Sequence, residues 1–172
     1  NIWVGTMLGL HLMRGDRFSR YRHDPGRADS ISHDFVRVIY EDRSGVLWIG
    51  TNGGGLNRLI SGGKNGEEAV FRKYDNRDGL PNNVIVGILE DESGRLWIST
   101  KKGLSRFSPE TAMFKNYDMR DGLQSDEFNR GAFFKNKSGE MLFGGNNGFN
   151  MFHPDRIRES THVPQMALTE FR

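Results

Sequence analysis

One decapeptide constrains the fold of this chain more than anything else. Asp42-Arg43-Ser44-Gly45-Val46-Leu47-Trp48-Ile49-Gly50-Thr51 recurs as Asp91-Glu92-Ser93-Gly94-Arg95-Leu96-Trp97-Ile98-Ser99-Thr100. Asp and Ser favour a turn, Gly supplies a positive φ, and Leu-Trp-Ile suits a pleated, buried strand. The second half of the motif stands at Asn1-Ile2-Trp3-Val4-Gly5-Thr6, and Ser138-Gly139-Glu140-Met141-Leu142-Phe143-Gly144-Gly145 keeps the turn but loses the Trp. Trp3 to Trp48 is 45 positions, Trp48 to Trp97 is 49, and Trp97 to Leu142 is 45. The four extra positions fall in the polar, Gly-rich stretch 61–68, which reads as a lengthened surface turn.

Within a repeat, Val84-Ile85-Val86-Gly87-Ile88-Leu89 is a continuous apolar run of strand length, suited to burial on both faces. A turn at 91–94 leads back through 95–100, and the two-residue loop Lys101-Lys102 precedes a third strand at 103–107. Ser108-Pro109-Glu110-Thr111 turns again, and 112–117 alternates as a half-exposed edge strand. Four short antiparallel strands per 45 to 49 residues predict an all-β, partial β-propeller of about three and a half blades. A β-sandwich would not repeat its turns and aromatics in phase. The expected divisions are a partial blade at 1–31, blades at 32–78 and 79–121, a closing blade at 122–157, and a linker with the first strand of another domain at 158–172.

Composition excludes several classes of function. The 24 basic and 22 acidic residues nearly cancel, and no Lys/Arg cluster alternates with aromatics, so neither nucleic acid nor direct membrane contact is an expected partner. There is no cysteine, hence no disulfide or thiolate chemistry. No apolar run approaches the roughly 18 residues of a membrane helix. His11, His23, His33, His153 and His162 show no close ligand spacing, so no metal or other cofactor is expected. Gly50 to Gly55 superficially matches a phosphate cradle, but no helix follows.

The segments Asp78-Gly79-Leu80-Pro81-Asn82-Asn83-Val84, Glu90-Asp91, Leu96-Trp97-Ile98 and Gly103-Leu104 together resemble the two-component-regulator propeller repeat. Asp121 to Asn129 and Phe143 to Asn150 are similar to the closing blade of such sensors. Val163 to Phe171 resembles the entry strand of the immunoglobulin-like, triple-tyrosine type domain that follows them. The resemblance implies the periplasmic sensor region of a bacterial hybrid two-component receptor. Other blades, the signal sequence, the membrane span and a kinase, diguanylate cyclase or transcriptional effector would then lie outside this chain. It also implies a homodimeric full-length receptor and a polar ligand, often a carbohydrate. An isolated arc of three to four blades would expose two blade faces and associate.

Strand direction divides the loops between two faces. The Asp-x-x-Gly turns, with Gly45, Gly94 and Gly139, lie on one. The other collects His33, Asn52, Asn82, Asn83, Lys101, Lys102, Asn129, Arg130, Asn146 and Asn147, a set suited to hydrogen-bonding a sugar or oligosaccharide. Trp3, Trp48 and Trp97 recur in phase and are assigned to packing between blades. Three readings follow: a ligand sensor, a protein-interaction scaffold, and a propeller enzyme of the streptogramin-lyase type. An enzyme needs convergent acid and base groups, and this face offers only His33 and Glu127, so no catalytic residue is assigned.

Overall fold

Short apolar triplets bounded by Asp, Ser and Gly limit each strand to between five and eight residues. The computed structural model describes residues 2–62 and 68–157. Residues 63–67 of the lengthened turn, and the 158–172 linker with its immunoglobulin-like entry strand, lie outside the described residues. The strands are β1 (Ile2–Thr6), β2 (Gly9–Arg14), β3 (Arg17–Tyr21), β4 (Val36–Glu41), β5 (Leu47–Thr51), β6 (Leu56–Ser61) and β7 (Val70–Tyr74). There follow β8 (Ile85–Glu90), β9 (Leu96–Thr100), β10 (Leu104–Ser108), β11 (Met113–Tyr117), β12 (Phe128–Lys135), β13 (Met141–Gly145) and β14 (Gly148–Phe152). Each pairs antiparallel with its sequence neighbours, giving sheets β1-β2-β3, β4-β5-β6-β7, β8-β9-β10-β11 and β12-β13-β14. These are two whole four-stranded blades flanked by two three-stranded ones, the expected partial propeller. The edge strand expected from Ala112 begins at Met113, because Ala112 takes a positive φ of 55° in the preceding turn.

The core lies between sheets. Leu10, Val36, Ile49 and Phe71 fill the first interface, Trp48, Ile85, Ile98 and Phe107 the second, and Trp97, Phe128, Met141 and Phe143 the third. Every residue of β5, β8 and β9 is buried, which is why these strands read as continuous apolar runs rather than alternating ones. The outward faces of the first and last sheets carry exposed Ile2, Phe18, Phe134, Phe149 and Met151.

The repeated decapeptide is a self-contained clamp. The Asp42 carboxylate accepts from Ser44 N and Val46 N at 2.9 Å each and from the Trp48 indole at 2.7 Å. Asp91 accepts from Ser93 N, Arg95 N, Arg95 Nε and the Trp97 indole at 2.9, 3.1, 2.8 and 2.9 Å. Trp48 and Trp97 are wholly buried, so each indole N–H needs this acceptor. Gly45 and Gly94, at φ 76° and 75°, take the conformation the turn requires. In the last sheet two changes occur together. Asn136 replaces the Asp and still accepts from Ser138 N and Glu140 N, while Leu142 replaces the Trp and brings no donor. The new amide Nδ2 donates to Glu140 Oε2 at 2.8 Å.

Sheets approach closely at Gly5, Gly50 and Gly87; at Gly50 an added Cβ would stand 2.5 Å from Ile85 Cγ2 and 2.7 Å from Ile85 Cβ. Gly50→Ala is therefore expected to lower stability by about 1–3 kcal/mol through overpacking. Urea unfolding followed by circular dichroism measures this; an unchanged midpoint would mean that the sheets do not touch there in solution.

Candidate functional site

The loops after β5, β9 and β13 and the segments entering β4, β8 and β12 are hydrogen-bonded to one another on one face of the sheets. Asn52 N donates to Phe35 O at 2.9 Å, Gly53 N and Gly55 N to Asn83 O at 3.0 and 2.9 Å, and Lys101 N to Val84 O at 3.3 Å. Gly103 N donates to Asp126 O, and Asn146 N to Glu127 O at 3.3 Å. Each loop is thereby tied to its own sheet's entry segment, and the loops of the two middle sheets are also tied to that of the next sheet. The Asp-x-x-Gly turns occupy the other face.

The ten candidate residues fall into three groups on this face. Some shape the backbone. Asn82 Oδ1 accepts from Val84 N at 2.8 Å, and Asn83 Oδ1 accepts from Asn76 N at 2.8 Å. Asn83 thus closes the 3-10 turn Asn76–Asp78, whose ends are fixed by reciprocal bonds between Asp75 and Asp78. Asn147 folds back, donating from its backbone N to Gln124 Oε1 at 2.8 Å.

A second group forms a compact network. Lys101 Nζ lies 2.8 Å from Glu127 Oε1, and Asn146 Nδ2 donates to Glu127 Oε2 at 2.8 Å. The hydrogen bond and charge of Lys101 hold the Glu127 carboxyl below its usual range. Lys102, next in the chain, is exposed.

The third group gathers around Phe35, which sequence reasoning did not single out. His33 Nδ1 accepts from Phe35 N at 3.0 Å. The Arg37 guanidinium carbon lies 5.1 Å from the Phe35 ring centroid, and that of Arg130 lies 5.8 Å from it. Asn52 Oδ1 accepts from Arg37 Nε at 2.8 Å. Burial, and then the like charge of Arg130, lower the Arg37 pKa. Asn129 and Arg130 are exposed on an irregular stretch of β12. In sequence, Val36-Arg37-Val38 reads as plain strand alternation, which makes Arg37 an ordinary solvated position. A bulge in β4 is what places it on the loop face.

Among the described residues, no cluster of His, Asp or Glu is arranged to hold a metal ion, and no helix is long and apolar enough to cross a membrane.

Two stretches of the chain, residues 30–53 and 79–102, match the family described as two component regulator propeller. Each begins in an entry segment, crosses the innermost strand and the Asp clamp, and ends in the loop beyond the Trp strand. Over those two stretches the chain is similar to two-component regulator propeller repeats. Solved structures with the same fold include the extracellular domain of a hybrid two component system from B. thetaiotaomicron. It is 24% identical with a TM-score of 0.52, over 89% of this chain and 26% of that one. PorZ, a surface component of the type-IX secretion system of Porphyromonas gingivalis, is 15% identical with a TM-score of 0.63, over 84% of this chain and 22% of that one. Virginiamycin B lyase from Staphylococcus aureus is 13% identical with a TM-score of 0.52, over 85% of this chain and 48% of that one. This chain thus spans about a quarter of the length of the first two proteins. No curated protein sequence matches the chain significantly.

Proposed function

We propose that this propeller segment belongs to the extracytoplasmic, periplasmic sensing region of a bacterial signal-transduction receptor. Its loop face binds a polar ligand such as a carbohydrate and signals to a membrane-linked effector. The observation that carries the reading is the hydrogen-bonded belt of loops, which holds Lys101, Asn129, Arg130 and Asn146 from two successive sheets on one rigid face of a regulator-type propeller. Short, mutually bonded loops present polar groups with little ordering cost on binding. The two candidate proton carriers fit binding better than acid catalysis. Glu127 is tied to Lys101 and held in its anionic form, while His33 Nδ1 accepts from the backbone. Signalling requires different ligand affinities for two arrangements of the receptor, in which we place a homodimer and an effector outside this chain.

Calorimetric titration of the receptor's sensing region with a panel of neutral and acidic oligosaccharides tests this. Binding should weaken at least tenfold on Asn129→Ala, a residue whose exposed side chain serves no turn in the belt. Binding that survives both this change and Lys102→Ala would place the ligand elsewhere and leave the loop face as a docking platform.

A further inference from the structure

The innermost strands β4, β8 and β12 all depart from regular pairing at the same level, near their loop-face ends. In β4 the register passes from Val36↔Thr51 to Val38↔Gly50, so Arg37 is the extra residue. In β8 it passes from Ile85↔Thr100 to Gly87↔Ser99, and the extra residue is the fully buried Val86. In β12 it passes from Phe128↔Gly145 to Phe133↔Phe143, an enlarged irregularity that contains Arg130. A bulge re-aims the side chain it carries. Here the flanking two bring guanidiniums from different sheets to one aromatic ring, although like charges repel.

What distinguishes these two arginines is that they meet at one ring from two different sheets. Arg22, Arg43, Arg77, Arg95 and Arg120 each have a carboxylate partner. Arg37 and Arg130 have none among the described residues; the one polar partner of the pair is Asn52 Oδ1, on Arg37 Nε. The terminal nitrogens of Arg37 and the fork of Arg130 remain as donors. Paired guanidiniums without a counter-ion, backed by an aromatic face and an amide, suit an anion with several acceptor oxygens, the planar carboxylate or the tetrahedral sulfate group.

We propose that Arg37 and Arg130, set by their bulges on either side of the buried Val86 position and held at Phe35, form an anion subsite that takes an acidic group of the ligand. The inference rests on the reading of the loop face as a binding surface and narrows its ligand to an acidic one, such as a uronate or a sulfated sugar.

Galacturonate and galactose differ at C6, carboxylate against hydroxymethyl, and serve as matched probes alongside inorganic sulfate. In NMR titrations of the chain, galacturonate should shift the Arg37 Nε–H signal and the Phe35 ring signals, with an affinity at least tenfold above that of galactose. Arg130→Gln should remove at least fivefold of that affinity. Arg72→Gln, the same loss of charge on the outer strand β7, should leave it unchanged. Sulfate that displaces galacturonate from the same signals supports the subsite and marks its preference as sulfate; sulfate that fails to displace it supports the subsite as one for carboxylate. Equal binding of the two sugars would overturn the subsite while leaving the polar-ligand reading intact. Equal losses from Arg130→Gln and Arg72→Gln would reduce the effect to net charge and also overturn it. If neither galacturonate nor sulfate shifts these signals the subsite is lost, and the broader reading is then judged by the oligosaccharide calorimetry alone.

Discussion

Replacing Asp91 with alanine is expected to lower stability by about 3–5 kcal/mol, the range for removing one partner from a buried charged network. Asp91 is 1% exposed, and its two oxygens accept four hydrogen bonds within its own turn. Alanine would leave the buried Trp97 indole N–H without an acceptor and take one from two backbone N–H groups and from the Arg95 guanidinium, which is 29% exposed. The urea midpoint by circular dichroism reads the loss, and a decrease below about 1 kcal/mol would sink the clamp as an energetic unit. The last sheet suggests a sharper test. Because Asn136 and Leu142 occur there together, Asp91→Asn and Trp97→Leu combined should cost measurably less than the sum of the two alone. Strict additivity would mean that the carboxylate and the indole act independently.

Trp48→Ala is expected to cost about 3–5 kcal/mol, as for other fully buried large aromatics. Trp48 is wholly buried in β5 and touches the Phe107 ring of the neighbouring sheet edge-on at 5.6 Å, with Tyr74 at 6.3 Å. Its removal would leave a void on the boundary between two sheets, where Phe107 is held by Tyr74 and Phe114 and has little freedom to collapse into it. Unfolding should also become less cooperative, since the lost contact joins two sheets rather than two strands of one. Thermal unfolding by calorimetry tests both points. A loss confined to about 1 kcal/mol, with the enthalpy unchanged, would mean that the interface repacks.

The features that repeat were the legible ones. Asp, Gly and Trp at fixed spacing specified the turn, the buried strand and the alternation of faces, and β8 to β11 lie within a residue of where the third repeat put them. Loops placed together by strand direction alone are joined by backbone hydrogen bonds. What could not be read was what each side chain does once there. Asn83 and Asn129 look equivalent in sequence, yet one closes a 3-10 turn and the other projects from an irregular strand. Arg37 and Phe35 escaped notice for a related reason. A bulge adds one residue to a strand without any signal in the apolar pattern, so the face that residue adopts is decided by pairing and not by composition. The capping boxes at Asp75 and Asp118 were legible in principle, since each Asp stands three residues before another Asp and four before a Gly.

Strand pairing confined to sequence neighbours also bears on how such a chain acquires its structure. Every hairpin except β6–β7 closes over a short loop, so the entropic cost of closure is small and each sheet can form before its neighbours do. The long-range step is the docking of one finished sheet on the next, through rings such as Trp48 and Phe107. Assembly can therefore grow stepwise from whichever sheet forms first, in the manner of a one-dimensional array. Local opening should run the other way, undocking whole sheets one at a time.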